Sequence, residues 1–124
     1  MTDQEIEQEI QAKGLTAPRV TPADIEANIA SEFYFTALDG MVGYYTNDGR
    51  VMNPTSRDGL SKSLGILSFC VLVLKNGFTV TGESACASPE NFDAEVGRKI
   101  ARANAVNKIW PLMGYELKQR LYNA

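Results

Sequence analysis

The sequence predicts an α+β fold: an antiparallel hairpin or small sheet over about residues 67–84, packed against a long helix at about 89–110 and a second helix at 22–39. Three observations predict it. The run Phe69-Cys70-Val71-Leu72-Val73-Leu74 is apolar at every position and ends at Asn76-Gly77, a preferred hairpin turn. Residues 89–110 open on Ser88-Pro89, a helix start, and carry apolar residues at helical spacing. Thr21-Pro22 opens a third segment in which Ile25, Ile29, Phe33 and Ala37 recur every four residues. With 124 residues, 44% hydrophobic and 22% charged, the chain is one domain's worth of globular polypeptide.

The N-terminal segment reads as a short, peripheral helix and linker over residues 1–20. Thr2-Asp3-Gln4-Glu5 is a capping box and Gly14 a left-handed stop. Its apolar stripe, Ile6 and Ile10, is too thin to hold a helix by itself, so the segment should fray or dock. In the helix at 22–39, Tyr34 and Leu38 widen the apolar face and Gly40 ends it. Residues 41–63 read as an irregular loop, or as a small hairpin of Tyr44-Tyr45-Thr46 with Arg50-Val51-Met52 around Asn47-Asp48-Gly49. A two-residue turn at Asn76-Gly77 sets Lys75 opposite Phe78, Val73 opposite Val80 and Val71 opposite Gly82, with Cys70 opposite Glu83. The first strand is apolar on both faces and should be central or covered. Two strands alone are marginal, so more must come from residues 44–52 or from a second subunit.

The long helix should bury Phe92, Val96, Ile100, Ala103, Val106 and Trp110. Its small residues, Ala94, Gly97, Ala101 and Ala105, allow another element to come close. Pro111 should kink or restart the chain before a last helix at 112–122.

Charge and composition exclude several functions. The net charge of -3 is not the footprint of a dedicated nucleic-acid binder. No apolar run approaches the ~20 residues that cross a bilayer, and the acidic N-terminus resembles neither a signal nor a transit peptide. The two cysteines point to free thiols in a reducing cytoplasm. The chain has no histidine, which removes Ser-His and Cys-His catalysis and most zinc chemistry. Gly82-Glu83-Ser84-Ala85-Cys86 has part of a nucleophile-elbow pattern, but lacks its last glycine and a base. No enzyme, cofactor or metal site is expected.

The string Asn76-Gly77-Phe78-Thr79-Val80-Thr81-Gly82-Glu83-Ser84-Ala85-Cys86 is distinctive. It continues through Pro89-Glu90-Asn91-Phe92-Asp93 and Gly97-Arg98-Lys99-Ile100-Ala101-Arg102, and closes with Ile109-Trp110-Pro111-Leu112-Met113-Gly114-Tyr115. Over residues 66–121, and more loosely over 21–38, the chain resembles the gene-product-forty-nine (gene-66-like) family of small tailed-phage and prophage accessory proteins. The resemblance implies a phage origin, expression in the host cytoplasm and an accessory role; it supplies no catalytic residues.

The candidate binding residues come from charge. Arg98, Lys99 and Arg102 form a basic patch on the long helix, and Arg forks suit phosphate. Thr81 and Glu83 lie on the polar face of the second strand. If a ligand site exists, these five residues should form it, with the strand of one copy meeting the arginines of another. The expected function is a non-catalytic homodimer or larger assembly that binds, and so sequesters, a small anionic or nucleotide-type ligand of host antiphage signalling. The alternative is a protein-protein interaction module acting through the acidic N-terminal helix; residues 1–39 carry eight acidic and two basic groups.

Overall fold

The computed structural model describes residues 1–47 and 57–124. In chain order the elements are α1 (Asp3–Ala12), α2 (Pro22–Ala27), β1 (Ile29–Thr36), α3 (Ala37–Asn47), α4 (Arg57–Leu64), β2 (Leu67–Leu74), β3 (Thr79–Ala85), a 3-10 turn (Pro89–Asn91) and α5 (Ala94–Asn123). The three strands form one antiparallel sheet in the order β1-β2-β3, and α5 crosses one face of it. The fold is α+β, as the sequence predicts.

Strand β2 is central because its sequence leaves no alternative. It is apolar on both faces, and its backbone N–H and C=O groups need partners along both edges. β3 satisfies one edge. The other is taken by β1, which replaces the second half of the expected helix at 22–39. Residues 29–36 are rich in β-branched and aromatic side chains, and with period two they split into Phe33 and Phe35 on one face and Glu32 and Tyr34 on the other. The four-residue recurrence of Ile25, Ile29, Phe33 and Ala37 is compatible with a helix, but a six-residue α2 is all that forms before Asn28. The third strand therefore comes from neither residues 44–52 nor a second subunit. Thr36 and Asp39 make a capping box that starts α3, with Thr36 N–H donating to Asp39 Oδ2 at 2.9 Å and Asp39 N–H to Thr36 Oγ1 at 3.1 Å. Gly40 lies inside that helix instead of ending one. Residues 37–47 and 57–64 are helical where a loop or hairpin is expected, and Arg50-Val51-Met52 with the tip of its turn lies outside the described residues.

The hairpin register differs by one residue from the sequence expectation. Val73 pairs with Thr79, Leu72 with Val80, Val71 with Thr81 and Cys70 with Gly82. The cause is the turn. Leu74 N–H donates to Phe78 O at 2.8 Å and Gly77 N–H to Leu74 O at 2.9 Å, which leaves a three-residue loop, Lys75–Gly77. A two-residue type I′ turn needs positive φ at both central residues, and here only Gly77 has it, at 89°. The one-residue shift moves Val80 onto the same face as Cys70, Leu72 and Leu74. Thr79, Thr81 and Glu83 then share the opposite face with Phe69, Val71 and Val73.

Helix α5 runs unbroken for 30 residues through Pro111. Ser88-Pro89 produces only the 3-10 turn, and the α-helix begins after Asp93, whose Oδ1 accepts from Val96 N–H at 3.0 Å. Its buried residues are Gly97, Ala101, Ala105 and Ile109, not the Val96–Ile100 stripe, which remains about half exposed. Gly82 explains the choice. A Cβ at Gly82 would overlap Ala101 O and Ala105 N, so the β3 backbone rests directly on the helix backbone. Only a face of small side chains permits that approach. Asn104 Nδ2 completes the contact by donating to Glu83 O at 2.8 Å. Ile25, Cys70, Leu72, Leu74 and Val80 fill the core around this seam.

Gly82→Ala is expected to destabilise the fold by at least about 3 kcal/mol, because the atoms it meets are backbone and cannot rotate away. Gly114→Ala, in α5 with open space around it, should stabilise by about 0.5–1 kcal/mol. Equilibrium urea unfolding of the two variants measures both.

Candidate functional site

The five sequence-predicted site residues do not form one cluster within a single copy. Thr81 and Glu83 are exposed on the sheet face that α5 does not cover. Arg98, Lys99 and Arg102 belong to the helix on the other face, and they diverge. Arg98 is exposed and lines a shallow cleft of about 110 Å³ with Tyr34, Thr36, Asp39 and Ser68. Lys99 pairs with Glu95 at 3.3 Å in full solvent.

Arg102 is instead a structural clamp. Its Nε donates to Glu32 Oε2 at 2.7 Å, its Nη2 to Glu26 Oε2 at 2.7 Å and its Nη1 to Glu26 Oε1 at 3.0 Å. One guanidinium thus ties α5 to both α2 and β1. These hydrogen bonds raise the Arg102 pKa and hold the Glu26 carboxyl below its usual range. The signal was in the sequence only as an excess of acid before residue 39; which carboxylates reach Arg102 depends on the strand β1.

Lys99 and Arg102 nevertheless line one groove. It encloses about 380 Å³ between the start of α1, α2 and α5. Its apolar wall is Pro22, Ile25, Ala103, Val106 and Trp110; Gln4, Asn107, Lys99 and Arg102 supply polar groups, together with Thr2, Asp3, which accepts from Trp110, and Glu26, which is held by Arg102. Trp110, the only tryptophan of the chain, stands at one end, with Nε1 donating to Asp3 Oδ2 at 3.3 Å. A second hollow of about 260 Å³ lies further along α1, lined by Ile6, Ile10, Val20 and Trp110. Val106 and Trp110, expected from sequence in the core, thus also become groove lining, because α1 docks beside them.

The acids of α1 already have partners. Glu5 and Thr2 form the expected capping box, and Glu9 pairs with Lys13 at 3.2 Å. Glu7 is nearly buried and takes a bidentate contact from Arg19, at 2.5 Å to Nη1 and 2.6 Å to Nη2, with Gln11 donating at 2.7 Å. The Arg19 hydrogen bond, with help from Gln11, lowers the Glu7 pKa to about 2. Gly14, at φ 68°, ends the helix as predicted.

Other candidate chemistry is quiet. Cys70 is buried and its thiol pKa is raised by that burial; Cys86 is also free. Among the described residues no cluster of His, Cys, Asp or Glu could hold a metal ion, and no helix is long and apolar enough to cross a membrane.

The α+β scaffold thus carries a groove of mixed apolar and polar lining between α1, α2 and α5. The family follows from the sequence match: residues 20–121 fit the profile of the phage protein (N4 Gp49/phage Sf6 gene 66) family, and the chain belongs to it. Helix α1 lies outside the matched span. No curated protein and no solved structure matches the chain.

Arg102→Ala should cost about 1 kcal/mol by thermal unfolding, since it leaves two carboxylates without their clamp, whereas Arg98→Ala should stay within about 0.5 kcal/mol of wild type. The Glu7 contact sets a pH window. A carboxyl whose pKa is depressed on folding stabilises the fold above its unfolded value of 4.5 and loses that stabilisation as pH falls toward about 2. Amide protection in α1, followed by hydrogen exchange, should persist at pH 5 and be lost between about pH 4.5 and 2; Arg19→Ala should lose it at neutral pH.

Proposed function

We propose that this phage-family protein is a non-catalytic accessory protein that binds, and by binding withholds, a small nucleotide-type ligand in the cytoplasm of the infected host. The observation that carries the reading is the groove in which Lys99 and Arg102 meet Trp110, Val106 and Ile25. A concave, mainly apolar site of several hundred Å³ with a few converging polar groups is the usual form of a small-molecule pocket. The indole offers an edge or face for a planar ring, and Gln4 and Asn107 offer amide donors and acceptors for its polar edge. Lys99 is the cation available for an anionic group: its pairing with Glu95 is fully solvated and contributes little, so it can turn to a ligand. Arg102, held by two carboxylates, positions the wall.

Thr81 and Glu83 have no part in this groove, and the ligand is held within one copy instead of between copies. The sequence-based alternative, an interaction module working through acidic α1, has less support because Asp3, Glu5, Glu7 and Glu9 each engage a group of the same chain.

Trp110 makes the test direct. Titration with mono-, di- and cyclic nucleotides should change its emission for at least one class and raise the melting temperature of the same sample. Lys99→Ala should weaken that binding about tenfold, the effect of one charge-assisted hydrogen bond, without changing the melting temperature of the free protein. Unchanged emission and melting temperature across the panel at millimolar concentration would overturn the proposal.

A further inference from the structure

The groove between α1, α2 and α5 holds more acid than base at the end where a phosphate would sit. Lys99 and Arg102 are the cations of its lining. Arg102 is already bound by two carboxylates, Glu26 at 2.7 and 3.0 Å and Glu32 at 2.7 Å. Lys99 Nζ lies 3.3 Å from Glu95 Oε1. Two positive charges thus stand among three negative ones, a local excess of one negative charge. The hydrogen bonds from Arg102 hold the Glu26 carboxyl below its usual range, so it is ionised at neutral pH. Arg98, one turn from Arg102, does not alter the balance, because it opens on the separate cleft that Asp39 also lines.

The facing wall is acidic too. Asp3, at the Trp110 end, adds a further carboxylate. From the first residue of α1 to the last of α2, residues 3–27, the chain carries six acidic and two basic side chains. Charges a few ångströms apart in a partly buried site interact several times more strongly than they do in water. A guanidinium that already faces two carboxylates therefore offers little to a third anion. A bound phosphate depends on Lys99, and one ammonium balances one negative charge. Every further charge on the ligand meets Glu26, Glu32 and Glu95 without compensation.

On the nucleotide reading of this groove, we infer that the ligand is a phosphodiester with a single negative charge and that nucleoside di- and triphosphates are turned away; the inference rests on that reading. A phosphate monoester carries about 1.5 to 2 negative charges at neutral pH, and a diester only one. Sites built for polyphosphates have the opposite balance, with a lysine and a metal ion gathering positive charge around the terminal phosphates. Here Arg102 is spent on holding α5 to α2 and β1, and its two carboxylates set the limit on ligand charge.

The test is isothermal titration calorimetry of the full chain at neutral pH, with EDTA present so that no divalent cation screens the phosphates. The probes are the cyclic monophosphate, monophosphate, diphosphate and triphosphate of adenosine, guanosine, cytidine and uridine. For any base that binds, affinity should fall from the cyclic monophosphate to the triphosphate, by about tenfold for each added charge. Glu32→Gln keeps an oxygen for Arg102 Nε and removes one charge. Combined with Glu95→Gln, on the exposed surface, it should raise triphosphate affinity at least about tenfold and change cyclic nucleotide affinity by less than about threefold. Should Glu32→Gln fail to fold, Glu95→Gln alone and a salt titration give the same reading: about 300 mM KCl should narrow the gap between cyclic nucleotide and triphosphate, because screening relieves repulsion. Affinity that rises with phosphate number overturns the inference and leaves the nucleotide reading in place. So does a gap that neither the substitutions nor salt can narrow. Failure of every probe to bind overturns both.

Discussion

The contact between Gly82 and the backbone of α5 is the constraint on which the remaining arrangement depends. Because β3 has no side chain at that point, the helix sits nearly on the strand, against Ala101 and Ala105. That approach decides which helical face is buried, and therefore which is left outside. A larger residue on either side would hold the elements apart and let a Val96–Ile100 face compete for the sheet. With Gly82 in place the small-residue stripe is the one that fits, and close packing at native density makes the choice exclusive. Ser68 extends the same logic on β2: buried, it stands where a Cβ at Gly97 would come within 3.0 Å of its Oγ.

The second consequence runs through β1. Once α5 lies across the inner face of β2 and β3, the free edge of β2 draws residues 29–36 into the sheet. That strand carries Glu32 to Arg102, and α2 beside it brings Glu26 to the same guanidinium. The basic patch on the long helix thereby divides. Arg102 becomes the tie between three elements, Lys99 stays in solvent at the lip of a groove, and Arg98 turns to a separate cleft. Three residues within five positions acquire three different roles: Lys99 is turned 100° from Arg98, while Arg98 and Arg102, one turn apart on the same side of the helix, meet different neighbours, Tyr34 and Thr36 for the first and Glu26 and Glu32 for the second.

Helix α1 adds the groove itself. Ten residues are too few for a stable isolated helix, and this one is held by two polar contacts, Asp3 to Trp110 and Glu7 to Arg19, with little apolar burial. Such a helix rests on the body without sealing it, which is why open volume remains at its start and beside Ile6 and Ile10. The family match begins at residue 20, so the groove is built from family core on one wall and an appended element on the other.

What the sequence alone determined is everything settled within three or four residues. The capping box of α1 and its glycine stop, the capped start at Thr21-Pro22, the doubly apolar β2 and the presence of a turn at Asn76-Gly77, though not its three-residue length, are legible, because the hydrogen bonds and dihedrals that make them are local. The family motif over residues 66–121 is legible for the same reason. The capping box at Thr36-Ala37-Leu38-Asp39 was equally local, and it marks the start of α3 that a four-residue apolar recurrence disguised. Only the tertiary structure decided the rest: that residues 29–36 are a strand, that Ala101 and not Ile100 faces the core, and that Arg102 is a clamp. Each of these depends on a partner far along the chain. A strand exists only when an edge is offered to it, and a helix face is buried only if its neighbour can come close enough, which here turns on the missing side chain of Gly82.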